Sequence, residues 1–501
     1  MRLKFVVLAI FGGASLVFAF QQQPVAVGPL AGLPSAPAPN HLATLRAIPD
    51  NTWVQLGTPA ADPQWGLPGG RSWAPKMPFA PDLRGAFLYG EGVHGGYNAA
   101  TGRYQDDLWF YDIHAHRWIC VYPGADIYED LTLNAEGFEI NRYGETIPVA
   151  PIVHAYGLLT YDTDARRFML YGTFASGYGV ELEARRPPGA HVWKDSSPWM
   201  YDVPTAHWIK KRVSGAAPLP SYEDVMVYIP TKKQALYFSH NSGATSWLYD
   251  PAANAWTLLS PQGPTPNPYG LSCYDPKRDR IYMGTGASAF WIFDVATTTW
   301  IAPQPAGTLS TSFISHNATM SYDVANDVVV VLVNRADQGN GAAEGVYVYD
   351  PSSNAWTVAS TTFPAVWNNN MNGFYDPVTN LHFIHDARDN SPGDIWVYRY
   401  KRPAGPPPAD GDGDGLPDTW ETQHFGNLNQ NGTGDPDGDG QTNLAEYQAG
   451  SDPRQSPQPS TGGGDDGCGA TGMEILFLPI LLRLTRPRRR TAALLSGERA
   501  P

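Results

Sequence analysis

Cysteine is scarce: Cys120, Cys273 and Cys468 are the whole complement of 501 residues. So few exclude a disulfide-stapled scaffold, and the fold has to rest on a core that stands without cross-links. Charge is sparse too, at 16% of residues, and its balance is acidic, with 34 Lys and Arg against 48 Asp and Glu. A net charge of −14 argues against a nucleic-acid partner, because phosphate backbones are held by basic stripes. Long apolar runs are missing as well, since neither terminal stretch reaches the roughly 20 residues of a permanent membrane helix. What is plentiful is aromatic side chains, with 16 Trp and 26 Tyr, beside 51 Gly and 46 Pro. That mixture suits many short strands joined by tight turns.

Five segments share one frame: "LWFYDIHAHRW" (108–118), "PWMYDVPTAHW" (198–208), "SWLYDPAANAW" (246–256), "FWIFDVATTTW" (290–300) and "VYVYDPSSNAW" (346–356). Alternating aromatics before a turn and a Trp after it describe two strands of a hairpin, with the Asp bonding its own backbone two residues on. A second frame precedes each, as in "YDPKRDRIYMGT" (274–285), with "APDLRGAFLYG" (80–90) a degenerate sixth copy. Each unit thus has four strands, a to d, and four-stranded sheets repeated about an axis make a β-propeller. The sixth unit ends in "DIWVYRYKRP" (394–403) without its Trp strand, while "DNTWVQLG" (50–57) stands alone before the first unit. If Trp53 supplies the missing outer strand, the ring closes and loses its open edge. The reading is an all-β, six-bladed propeller over residues 50–402, expected to be monomeric.

The Tyr-Asp hairpins and strand order resemble the kelch and galactose-oxidase-like propellers, without the Gly-Gly pair usual after kelch strand b. The resemblance implies a site on the face where b-to-c and d-to-a connections emerge. Galactose oxidases carry copper on two Tyr, two His and a Cys-linked Tyr. No residue here matches that set, so no copper is expected.

Length variation concentrates in those connections, at 90–107, 124–152 and 173–197, and long loops on a rigid scaffold are where sites are built. Near the start of the innermost strands stand His154, Tyr222, Glu223, Tyr269, His316, Asn317, Asn369 and Asn370. The b-to-c loops add His94, His240, Arg335, His385 and Arg388. Such a group fits a metal, a carboxylate or a sugar, and equally the plain solvation of a wet channel. No triad, paired carboxylates or phosphate loop has the spacing of a catalytic motif.

After the Pro-rich linker (403–409), two twelve-residue loops follow in residues 410–457. "DGDGDGLPDTWE" offers Asp410, Asp412, Asp414, the Leu416 carbonyl, Asp418 and Glu421; "DPDGDGQTNLAE" offers Asp435, Asp437, Asp439, Gln441, Asn443 and Glu446. This is the ligand spacing of a calcium loop, with Gly for the sharp turn and a closing bidentate Glu, so two Ca²⁺ sites are expected. Short amphipathic helices should leave the loops, carrying Trp420 and Phe425, then Leu444 and Tyr447. The pair resembles dockerin-type and bacterial thrombospondin type 3-like repeats, which implies a calcium-stabilised stalk or a docking module.

At the ends, Arg2 and Lys4 followed by an apolar run to Phe18 read as a signal peptide (1–19). Residues 20–49 read as a disordered leader. A Gly-rich spacer (458–467) leads to Cys468, a short apolar stretch and an Arg-rich end (468–501). That order resembles a bacterial surface-sorting tail, which would engage the membrane transiently before processing, with Cys468 a candidate processing point. The reading is an exported bacterial surface protein whose propeller binds a glycan or an extracellular protein. A secreted carbohydrate-active enzyme of oxidase, lyase or mutarotase type is the alternative, and a docking component a third.

Overall fold

A computed structural model describes residues 26–36, 38–71, 74–89, 97–98, 103–104, 106–124, 132–140, 146, 157–171, 197–219, 224–239, 244–260, 270–284, 290–307, 318–334, 344–364, 372–387, 392–402, 416–430, 434–438, 443, 446–447 and 452–455. A single helical turn at Gly28–Leu30 and helix α1 (Pro39–Ala47) lead into β1 (Thr52–Gly57). The first blade is β2 (Phe79–Ala80), β3 (Gly85–Tyr89), β6 (Leu108–Asp112) and β7 (Arg117–Tyr122), with the small ladder β4 (Tyr97–Asn98) and β5 (Arg103–Tyr104) between its middle strands. A second ladder, β8 (Thr132–Leu133) and β9 (Glu139–Ile140), precedes blade two: β10 (Leu159–Asp162), β11 (Arg167–Leu170), β12 (Trp199–Asp202) and β13 (His207–Ile209). Blade three is β14 (Val225–Ile229) to β17 (Ala255–Ser260), and blade four is β18 (Ser272–Asp275) to β21 (Thr299–Ile301). Blade five runs from β22 (Ala318–Asp323) to β25 (Ala355–Ser360). Blade six takes β26 (Asn372–Asp376), β27 (Leu381–Asp386) and β28 (Asp394–Arg399) from one end of the chain and β1 from the other. The chain is a six-bladed β-propeller closed by its N-terminal strand.

The repeated phrase builds one turn many times over. In blade three's outer hairpin, Asp250 Oδ1 accepts the backbone N–H groups of Ala252 and Ala253, both at 2.9 Å. Tyr249 Oη donates to Asn254 Oδ1 at 2.8 Å, and Asn254 has the left-handed φ of 50° that Asn tolerates. Across the turn Tyr249 pairs with Trp256, ring centroids 4.9 Å apart. The Tyr-to-turn bond recurs at Tyr111–His116, Tyr349–Asn354, Tyr274–Asp279 and Tyr375–Asn380. Closure reproduces the same unit from two ends of the chain. Tyr398 donates to Asn51 at 2.6 Å, Asn51 has φ 50°, and Trp53 lies opposite Tyr398 at 4.8 Å.

The inner turns also link the blades. Asp82 takes Arg166 of blade two at 2.6 Å, and Asp164 takes Tyr228 of blade three at 2.8 Å. Asp279 of blade four takes Thr231 of blade three at 2.9 Å, and Asp327 of blade five takes Arg278 of blade four. Asp323 takes Tyr375 of blade six at 3.0 Å. The bidentate pair from Arg84 to Asp376, at 2.7 and 2.9 Å, then joins blade six to blade one. All six junctions are bridged. Between the sheets, apolar faces fill the gaps, as where Phe374, Phe383 and Ile395 of blade six meet Tyr111 and Trp118 of blade one.

The residues before β1 differ from a disordered leader. Ala26, Leu30, Leu42, Leu45 and Ile48 are buried against the blades, and Arg399 donates to the Leu45 and Ile48 carbonyls at the end of α1. Alanine and proline richness suggests coil, but these apolar residues find grooves on blades one, two and six that local composition does not reveal. Three histidines sit at this joint. His114 Nδ1 meets the Ser35 carbonyl at 2.8 Å, with Arg84 3.5 Å from its Nε2. The rings of His41 and His116 stack at 5.0 Å. Burial lowers all three pKa values, with His41 adding to the effect at His116, held at about 4, and Arg84 at His114; Asp112, Asp376 and Asp394 oppose it.

Two outcomes are expected. Arg84→Ala leaves the fully buried Asp376 carboxylate without its guanidinium and should cost about 3–5 kcal/mol in denaturant melts, against under about 0.5 kcal/mol for the exposed Lys233→Ala. The folded histidine pKa values lie below the unfolded value, so their contribution is complete above about pH 6.5 and fades as pH falls through 6.5 towards 4. Protection factors of residues 26–48, each taken against the intrinsic exchange rate at that pH, should therefore fall at pH 5 relative to pH 7. His116→Asn, which installs the turn residue of blades three and five, should weaken that dependence.

Candidate functional site

Of the candidate propeller residues, His94, His154, Glu223, His240, His316, Arg335, Asn369 and Arg388 lie outside the described residues, as do Tyr222, Tyr269, Asn317 and Asn370. His385 is described, and it lies in the interior. It pairs with Asn372 in the ladder, meets Trp118 with ring centroids 4.9 Å apart and the planes tilted by 60°, and has no exposed surface. Burial, reinforced by the Arg71 charge, lowers its pKa to about 3, so it stays neutral across the physiological range. Among the described residues neither ring nitrogen has a hydrogen-bond partner, and neither does Arg71 Nε close by. Arg71 is otherwise fixed, with one arm on Asp107 at 2.7 Å and another on the Gly69 carbonyl at 3.1 Å.

The axis of the ring is crossed by a residue that the repeats do not contain. Lys76 precedes β2 and runs parallel beside β26, bridging to Gly373, whose carbonyl accepts the Met77 N–H at 2.8 Å. Innermost strands approach closely here. A Cβ on Gly373 would lie 2.8 Å from the Thr319 methyl of blade five, so only glycine fits. The Lys76 side chain reaches across to donate to the Met226 carbonyl of blade three at 2.7 Å. Burial lowers its pKa to about 7, with a small opposing contribution from Cys273 on the innermost strand of blade four. Lys76 lies among blades three, four and six and is half-buried, so part of its surface stays open. Cys120 and Cys273 are both buried thiols, as small apolar side chains would be. No sequence motif marks Lys76, because it lies between the first Trp strand and the first inner hairpin.

In the acidic module, α2 (Asp418–Phe425) begins at the ninth position of the first loop and carries Trp420 and Phe425, as expected. Residues 443 and 446–447 are helical in the second. Trp420 packs on Tyr447 at 5.7 Å, joining the two halves, and the Asn443 N–H reaches the Gly434 carbonyl at 2.7 Å. Both closing glutamates are inside: Glu421 is 0% exposed and Glu446 1%, with Asn443 and Leu416 at 0%. Asp435 is exposed and accepts the Gly438 N–H at 2.9 Å, and Asp437 is half-buried. Asp410, Asp412, Asp414, Asp439 and Gln441 lie outside the described residues. Among the described residues no three His, Cys, Asp or Glu side chains converge as a metal-ligand group. The donor set of the two loops is all oxygen, which is the chemistry of a hard cation.

The fold and these sites define a β-propeller with an appended acidic module. No protein-family model matches the chain, and no curated protein sequence matches it either.

Proposed function

We propose that the chain is an exported bacterial cell-surface protein whose propeller binds a glycan or an extracellular protein on its loop face, with the acidic module as a calcium-stabilised stalk. The observation that carries this reading is the asymmetry of the ring. One face is tied down by near-identical four-residue turns and six inter-blade bridges, and the connections of variable length leave from the other. A rigid scaffold with one variable face is the arrangement of a recognition surface. Export and surface attachment rest on the basic-apolar start and the apolar, Arg-rich tail. For calcium the support is the burial of Glu421 and Glu446, one closing each loop. Two Ca²⁺ ions would offset the repulsion of clustered carboxylates and let a core-poor segment fold. Extracellular sites of this kind bind at on the order of 10⁻⁴–10⁻³ M, which suits a structural ion.

The test is a glycan and extracellular-protein binding screen of the full-length protein in millimolar calcium, with captured glycans weighed by mass spectrometry. Saturable capture of an unaltered ligand supports the reading. A glycan released with changed mass overturns it in favour of a carbohydrate-active enzyme. Calcium should raise the melting temperature of the module, and Glu421→Gln with Glu446→Gln should abolish that rise.

A further inference from the structure

Lys76 has a combination of features that a structural lysine lacks. Lys233 and Lys277, on the turns, pair with Asp164 and Asp327. Among the described residues Lys76 has no carboxylate partner. There its one hydrogen bond goes to a main-chain carbonyl, and the other group whose charge it feels is the Cys273 thiol. As a free amine it uses one N–H on Met226, leaving a second N–H and the lone pair for the channel. A backbone ladder on one side and that 2.7 Å bond on the other hold the chain extended across the axis. An ammonium enclosed without a counter-charge is disfavoured, and burial lowers its pKa to about 7, so the nucleophilic form is abundant near neutrality.

We propose that Lys76 is a covalent capture site that takes small aldehydes from the channel as imines. The Nζ lone pair forms a bond to the carbonyl carbon as the carbon–oxygen π pair moves to oxygen and is protonated, giving a carbinolamine. Loss of water then leaves the C=N bond, with the surplus amine proton passing to solvent. No oxidant or reductant enters. The proposal does not depend on the loop face having a glycan ligand.

The experiment treats the full-length protein with glycolaldehyde and cyanoborohydride between pH 5 and 10, and follows each lysine by peptide mass. Lys76 should be trapped at least about tenfold faster than Lys233 and Lys277 at pH 7, where an ordinary lysine of pKa about 10.4 is almost wholly protonated. Its rate should level off above about pH 8, whereas theirs should keep climbing. Lys76→Arg should remove the fast phase and leave the slow one. Labelling of Lys76 at the surface rate, with the surface pH profile, overturns the proposal, as does no labelling. The rates and pH profiles that overturn the proposal are read on the unmodified chain, so they do not require that the Lys76→Arg variant fold. Binding on the loop face, measured separately, stands or falls independently.

Discussion

The structure depends on one local device: an Asp that caps a four-residue turn while the preceding Tyr reaches the side chain of the left-handed residue five positions on. The Asp carboxylate satisfies two backbone N–H groups that a tight turn would otherwise leave exposed. The Tyr hydroxyl makes the left-handed residue a hydrogen-bonding one, which explains the recurrence of Asn and Asp there. With turn length set, register follows, and the Trp of the outer strand falls opposite the Tyr, or opposite Phe293 in blade four. Register then decides which side chains meet the neighbouring blade. The inter-blade bridges issue from the same turns, so one short phrase specifies the strand pair and much of the junction beside it.

Most of this was legible in the sequence because it is local and repeated. Four strands per unit, six units, and the borrowed strand at Trp53 follow from counting hairpins and noticing one without its Trp. The helix carrying Trp420 and Phe425 was legible for a similar reason, since it leaves the first acidic loop at a fixed spacing. What resisted reading is non-local. Leu30, Leu42, Leu45 and Ile48 occur in a stretch rich in Ala and Pro, and their partners are on blades distant in sequence. His385 reads as a loop histidine by its position near the end of strand b, yet the ladder continues through Asp386 and turns the ring under Trp118. Lys76 has no signal, because a residue that spans the axis is defined by the gap it crosses.

Polar groups in this molecule fall into two physical regimes. On the turn face, charges are paired, bidentate in the case of Arg84 and Asp376, and their burial is repaid by geometry. Along the axis and between blades six and one, nitrogens are enclosed, and burial lowers their pKa values, His385 to about 3 and Lys76 to about 7. The first regime stabilises the ring. The second leaves lone pairs and N–H groups uncommitted, which is the raw material of chemistry.

The pairing of β1 with β28 gives the ring a direction in time. Residues 51 and 398 are hydrogen-bonded although 347 positions separate them. At ribosomal speeds of about 5–20 residues per second, the first strand would wait on the order of tens of seconds for its partner to be made. Until then the chain holds five blades with a sixth half-built, and one strand edge at each end is unsatisfied. Loop-closure entropy makes that join the most costly contact to form, and nothing short of the whole propeller completes it. The clasp therefore works as a length check, since a chain truncated anywhere before blade six keeps two raw edges and never becomes a closed ring.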